Sequence, residues 1–240
     1  MTVFTSIGGN TGPSNLSNGG MVMEHDHTIG TSWVFVSPFY TDLAMKERTI
    51  HIARSYLGVK ENPEGSNHQQ FGAWFGMNDV AWCAIYASFC QYLAGLRWAD
   101  ATTPKGFSYC PSIVAWGKKH SRISRTPHLA DMAVAVNGTR PHHVELVSAG
   151  PGFQAHAITP APTSPVHRNL ALTSPLTTGN DVGWVENRLR QLRYLPTSYK
   201  ATKRYGPKVH DAVLKFQRDH HLVADAVCGP VTGYHLAAGK

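Results

Sequence analysis

The chain contains 240 residues, of which 42% are hydrophobic and 15% are charged, and its formal net charge is +7. This length permits one large domain or two modest ones, and the hydrophobic content supports a buried core, which excludes a chain that is disordered throughout. No apolar run approaches the ~20 residues that span a bilayer, so the sequence predicts no membrane insertion.

Residues 1–43 are predicted to form a flexible N-terminal arm, because the segment up to about Gly30 is rich in Gly, Ser, Asn and Thr and shows no periodicity. The opening residues lack a cationic segment followed by an apolar one, so synthesis in the cytoplasm without a signal peptide is expected. His25 and His27 form an H-x-H pair. A metal site would need further ligands, so solvated histidines are the favoured interpretation of the pair.

Residues 44–169 are predicted to form a domain that contains both helices and strands. Helical periodicity from Ala44 ends at Gly58, and a second helix is predicted from about Val80 to Leu96. Apolar alternation predicts strands at 132–136 and 144–146, joined by Asn137-Gly138, with a third strand at 153–158. A helix followed by antiparallel strands indicates the α+β class.

The rest of the chain is predicted to form a linker, residues 170–178, and a small helical domain, residues 179–240. Apolar residues recur there at helical spacing: Val182, Val185, Leu189, Leu192, Val209, Val213 and Phe216. This domain carries ten Lys and Arg against five Asp and Glu, which is most of the net charge. Because it shows no aromatic stacking platform, attraction to other anionic polymers is favoured over nucleic-acid binding.

Cys83 is the candidate nucleophile among four cysteines that form no C-x-x-C pair. It lies near the start of a predicted helix, where the helix dipole and unpaired amides favour the thiolate. Cys90 lies two turns further along the helix and is interpreted as a core residue, and Cys110 and Cys228 are also interpreted as structural.

A cysteine hydrolase also needs a base and a polar group that orients the base. His143 begins a predicted strand and His156 lies on the next one, so a hairpin could bring the two imidazoles together.

Three short motifs in this domain resemble the papain-like cell-wall cysteine hydrolases, the superfamily that includes the CHAP and NlpC-type domains. They are VAWCAIYASFC, LADMAVAV and HVELVSAGPGFQAHA, with Ala130 in place of the usual glycine of the second. The resemblance implies an α+β papain-like fold in which a helix bearing the cysteine packs on an antiparallel sheet. It also implies catalysis by Cys83 as nucleophile, His143 as base and His156 as the orienting third residue.

Three positions leave alternatives open within this resemblance. Phe71 stands where NlpC-type enzymes usually have a tyrosine, which leaves the oxyanion partner unassigned beyond the Cys83 amide. His142 is the alternative to His143 as the base, and His143 is favoured because the residues after it align best with the family motif. Gln154 is the alternative to His156, since it lies on the same strand face two residues away.

The C-terminal residues resemble the three-helix peptidoglycan-binding module, whose pattern they match at 15 positions. These are Asp181, Val182, Leu189, Leu192, Tyr194, Gly206, Ala212, Val213, Phe216, Gln217, Leu222, Asp225, Gly229, Pro230 and Thr232. Asn187 replaces a glutamine of the pattern, and Arg193 and Ala226 replace glycines.

Both resemblances lead to the same expectation, a peptidoglycan hydrolase of the phage endolysin type that cleaves an amide bond of the stem peptide and acts at the wall after release. Cleavage as an endopeptidase is favoured over N-acetylmuramoyl-L-alanine amidase activity. The alternatives are a zinc-dependent peptidase and a non-catalytic wall-binding protein. Peptidoglycan is the expected partner of a monomer that needs no cofactor or metal and binds no nucleic acid.

Overall fold

The computed structural model describes residues 3–12, 19–151, 164–166, 168–220, 222 and 224–239. The chain divides into two units, Met1–Thr159 and Pro160–Lys240. Among the described residues, no helix combines the length and the apolar character that crossing a membrane requires.

The first unit is a mixed α+β structure built on one antiparallel sheet, as the sequence predicts. Its strands are β1 Val3–Thr11, β2 Met21–Thr28, β3 Trp33–Val36, β4 Ile123–Ser124, β5 Met132–Asn137 and β6 Arg140–Ala149. Its helices are α1 Leu43–Ser55, α2 Gln70–Phe75, α3 Cys83–Leu93 and α4 Cys110–Lys119. The strand order in the sheet is β2-β1-β6-β5-β3-β4.

The prediction of a flexible arm over residues 1–43 is wrong, because β1, β2 and β3 lie in the sheet and β1 pairs with β6. Glycine in β1 serves close packing. A Cβ atom at Gly8 would lie 2.6 Å from the Glu145 side chain, and one at Gly9 would lie 2.5 Å from the Trp82 ring. The composition that suggests flexibility is therefore the composition that lets the strand approach its neighbours.

The centre of the unit is α3, which packs against β1 and β6. Ten of its eleven residues are buried, and a helix that is apolar on all sides is expected in such a position. The predicted hairpin is confirmed, but its turn lies one residue later than predicted. Asn137 ends β5 and pairs with Arg140, so the turn residues are Gly138 and Thr139, and Gly138 has the positive φ of +60° that such a turn favours. The third predicted strand, at 153–158, falls outside the described residues.

Sequence periodicity did not predict α2 or α4. Six residues, the length of α2, are too few to show a helical period. The start of α4 carries a usable signal, since Pro111 lies in its first turn and Ile113, Val114 and Trp116 are buried.

The second unit begins before the predicted boundary, so the assignment of residues 170–178 to a linker is wrong. Leu170 is fully buried and forms a β-bridge with Cys228, and Thr178 forms one with Arg204. An apolar side chain that fills a core gains about 1.5–3 kcal/mol by burial, which fixes the segment to the unit. The helices of the unit are α5 Asn180–Gln191, α6 Pro207–Asp219 and α7 Pro230–Ala238.

The two glycine replacements in this unit fall at left-handed positions, with φ +64° at Arg193 and +57° at Ala226. Arg193 follows Leu192, the C-cap residue of α5. At this helix end Tyr194 N donates to Leu189 O at 2.8 Å, and Arg193 N donates to Arg190 O at 3.1 Å. This is the hydrogen-bond pattern of a Schellman motif, where glycine is preferred.

Replacing exposed Arg193 by glycine is therefore expected to stabilise the second unit, because a left-handed residue with a Cβ costs about 1–2 kcal/mol. Part of this gain is cancelled, because glycine loses more conformational entropy on folding. A gain of about 1 kcal/mol would raise the midpoint of thermal unfolding by about 4–8 °C. Differential scanning calorimetry measures this. Arg193→Ala is the matched control, since it removes the same side chain and keeps the Cβ. An equal rise in both variants would contradict the backbone explanation.

Candidate active site

Cys83 is the first residue of α3, and its side chain is 4% exposed. The preceding residue, Trp82, makes no side-chain hydrogen bond to the start of the helix. The first amides of α3 are thus left without a side-chain cap at the end of the helix where Cys83 lies. Such a position favours a negatively charged sulfur.

A pocket of about 170 Å³ opens beside the thiol. Its lining residues are Ala81, Cys83, Ser108, Tyr109, Cys110, Pro111, Arg140, Pro141 and His142. The exposed Tyr109 ring and the Arg140 guanidinium give it an aromatic surface and a cation. A polar, acidic chain segment could therefore bind next to the sulfur.

The structure places His143 on β6, fully buried and facing the thiol. The neighbouring His142 is exposed and lies unpaired at a register shift between β5 and β6, where Ala135 pairs with His143 and Val136 with Pro141. Within the described residues, Nδ1 of His143 has no hydrogen-bond partner, whereas Nε2 contacts Glu145. The imidazole and the Cys83 thiol lie near enough for each to shift the pKa of the other, so Nδ1 is the ring atom available to exchange a proton with the sulfur.

Glu145 occupies the orienting position behind this histidine. Its Oε1 lies 3.1 Å from His143 Nε2, and its Oε2 lies 2.8 Å from His27 Nε2 and accepts a 2.5 Å hydrogen bond from Ser6 Oγ. The carboxylate is completely buried. Each charge-assisted hydrogen bond offsets part of the cost of that burial.

Sequence reasoning did not find Glu145, although one signal was present. Residues two apart on a strand share a face, and a carboxylate at that spacing from a candidate base can reach its ring. His156 and Gln154, the two predicted third residues, lie outside the described residues. Their role stays a prediction.

Electrostatics in the site favour an ion pair of thiolate and imidazolium. A hydrogen bond from Cys110 and the interaction with His143 hold the pKa of Cys83 well below its usual value, against the effect of burial. Burial alone would lower the pKa of His143, but Cys83 and Glu145 raise it to about 9. Burial opposes ionisation of Glu145, yet hydrogen bonds from His143, His27 and Ser6 bring its pKa below the usual value.

Cys110 belongs to this site and is not the remote structural residue that the sequence suggested. It is the first residue of α4, and its sulfur lies 3.6 Å from the sulfur of Cys83. Hydrogen bonding to Cys83 and burial raise the pKa of Cys110. The opposite directions of the two pKa shifts favour Cys110 as the thiol that donates its proton towards the Cys83 sulfur.

Replacing Cys110 by alanine is expected to raise the pKa of Cys83, because the largest contribution that lowers it is removed. The rate of alkylation by iodoacetamide, followed at Cys83 by mass spectrometry across a pH series, measures this. Cys90→Ala is the matched control, since Cys90 lies on the same helix and is fully buried. An unchanged alkylation profile in Cys110→Ala would contradict the donor role.

The structure also shows where Phe71 and the H-x-H pair of His25 and His27 lie. Phe71 is fully buried and stacks on Trp82 with ring centroids 5.5 Å apart, so it is a core residue and does not line the pocket. His27 is not solvated as the sequence suggested but bonded to Glu145, while Nε2 of His25 lies 3.2 Å from Thr11 Oγ1. No three metal-ligating side chains come together among the described residues.

Comparison with known families gives one result. Residues 178–236 match the family described as putative peptidoglycan binding domain. The second unit therefore contains a peptidoglycan-binding domain, and the chain is a cell-wall-related protein whose partner is peptidoglycan. No curated protein and no solved structure matches the chain.

Proposed function

We propose that this protein is a cysteine hydrolase of peptidoglycan, and in particular an endolysin that cleaves an amide bond of the stem peptide. The observation that carries the proposal is the linear arrangement of Cys83, His143 and Glu145 beside an open pocket. A thiol, a base and a carboxylate that orients the base are the parts such a reaction needs. The peptidoglycan-binding domain on the same chain supplies the substrate class.

In the proposed reaction, the Cys83 thiolate attacks the carbonyl carbon of the scissile amide. The imidazolium of His143 then gives its proton to the leaving amine, and a thioester to Cys83 remains. His143 next removes a proton from water, which attacks the thioester and releases the carboxylic acid. Glu145 keeps the ring oriented and stabilises its positive charge throughout.

Backbone amides at the start of α3 are the proposed donors to the oxyanion. Cys83 is the first residue of that helix, whose N-cap side chain leaves these amides uncapped, and fixed donors of this kind contribute to catalysis without reorganising. Val144 N also interacts with the sulfur of Cys83. The Arg140 guanidinium at the pocket rim would pair with a stem-peptide carboxylate.

The second unit has its own part in this proposal. Binding to the wall raises the effective concentration of the first unit at an insoluble substrate. Its excess of basic residues adds attraction to anionic wall polymers, which salt would screen. Synthesis in the host cytoplasm, followed by action at the wall after release, belongs to the same proposal.

Mass spectrometry of fragments released from purified peptidoglycan tests the proposal. Endopeptidase activity leaves part of each stem peptide on the glycan, whereas N-acetylmuramoyl-L-alanine amidase activity releases the whole stem peptide. The first outcome is expected. Activity that resists thiol blockers and is lost in a chelator would overturn the cysteine mechanism in favour of a zinc peptidase, and a lack of released fragments would favour a non-catalytic binding protein.

A further inference from the structure

The thiols of Cys83 and Cys110 form a pair that the hydrolytic reaction does not require. Each is the first residue of a helix, α3 and α4, and neither helix has a side-chain cap at that end. The sulfur atoms are 3.6 Å apart, and both cysteines are free. Two helix starts therefore present their thiols to each other across the floor of the pocket.

We propose that Cys83 and Cys110 form a reversible disulfide when a peroxide enters the pocket, which makes this pair a modification site that switches the hydrolase off. The effect on activity rests on the function proposed above, whereas the disulfide itself does not.

Geometry favours the bond. A disulfide has sulfur atoms about 2.05 Å apart, so the two sulfurs must approach by about 1.5 Å. Rotation about the Cα–Cβ bonds moves sulfur atoms over such distances within the staggered rotamers. The thiols are 4% and 5% exposed and line the same pocket, so a molecule as small as hydrogen peroxide can reach them from solvent.

The two sulfurs are also chemically different, as the reaction demands. The Cys83 thiolate attacks one oxygen of hydrogen peroxide, the O–O bond breaks, and after proton uptake the products are a Cys83 sulfenic acid and water. The Cys110 sulfur then attacks the sulfenic sulfur, the S–O bond breaks, and a second water leaves with the thiol proton. Two thiols are oxidised and one peroxide is reduced.

The remaining cysteines lack these features. Cys90 and Cys228 are fully buried, and neither lines the pocket. Burial raises the pKa of both thiols, so little thiolate forms at either position. Oxidation by peroxide should thus select the pair in the pocket.

The test treats the full chain with excess hydrogen peroxide and maps it by mass spectrometry without reduction. A peptide that joins Cys83 to Cys110 and lacks two hydrogen atoms is expected. Dithiothreitol should then return Cys83 to a thiol that iodoacetamide alkylates, and should restore wall cleavage. In Cys110→Ser and Cys110→Ala, Cys83 should advance to sulfinic acid, and the recovered thiol should fall about tenfold.

Two variants of Cys110, to serine and to alanine, are used so that a folding defect in one of them does not decide the result. Cys90→Ala is the matched control, which should still form the disulfide. Absence of the joined peptide in the oxidised wild-type chain would overturn the proposal, as would equal recovery of the Cys83 thiol in both Cys110 variants. Because mass reports the bond directly, a disulfide in a chain that cleaves no wall would contradict the hydrolase alone. Wall cleavage without the disulfide would contradict the switch alone.

Discussion

Replacing Cys83 by alanine is expected to reduce release of peptide fragments from purified peptidoglycan by about 10⁴-fold or more, because losses of this size follow removal of a nucleophile that acts with its base as a unit. Binding to the wall should be unchanged, since residues 178–236 belong to the second unit, which has its own core. Mass spectrometry of the released fragments measures cleavage, and cosedimentation with insoluble wall measures binding.

Cys90→Ala is the matched control for this experiment. It removes a thiol from the same helix, two turns away, at a position that does not line the pocket. Cleavage that survives in Cys83→Ala would contradict the nucleophile assignment. Loss of both cleavage and wall binding would indicate unfolding, which thermal denaturation of the variant detects.

Replacing Glu145 by glutamine is expected to lower the cleavage rate by about 10²–10⁴-fold, the range seen when the carboxylate behind a catalytic histidine becomes an amide. The variant keeps the shape of the side chain and removes the charge that stabilises the imidazolium. It also leaves His27 and Ser6 facing an amide instead of a carboxylate. Initial rates of amine release from wall fragments measure the effect.

The pH dependence of the cleavage rate distinguishes an effect of Glu145 on the His143 imidazolium from a purely structural role of Glu145. A pKa of about 9 for His143 means that the imidazolium persists as the pH rises and is lost above about 9, so the rate should fall there. Without the Glu145 charge, that pKa and the alkaline fall in rate should move to lower pH. Glu24→Gln is the matched control, because Glu24 bonds Arg54 and Ser148 instead. An unmoved alkaline limb in Glu145→Gln would contradict the role assigned to Glu145.

Elements with strong local signals were predicted well from the sequence, and elements defined by contacts across the fold were not. The helix of Cys83 and the Asn137-Gly138 hairpin depend on residues close in the chain. The strand at Gly8 and Gly9 depends on side chains about 70 and 140 residues away. Because composition reports only local preference, the same glycines appeared to mark a flexible segment.

The candidate site shows the same division. Cys83 and His143 were identified because each lies in a local motif that resembles a known family. Glu145 is identifiable as a partner only once its contacts to Ser6 and His27 are known, and these come from strands that the sequence did not predict. Cys110 likewise reaches the site through the placement of α4, which no motif indicated.

The pairing of β1 with β6 limits how the first unit can be transferred to another protein. A chimaera that begins at the first helix would keep Cys83 and His143 but leave behind Ser6 and His27, two of the three side chains that hydrogen-bond Glu145. The buried carboxylate would lose neighbours that offset its desolvation, and the sheet would expose an edge at β6. A chimaera that joins the first unit to a different wall-binding domain should therefore retain everything up to Thr159, where the first unit ends.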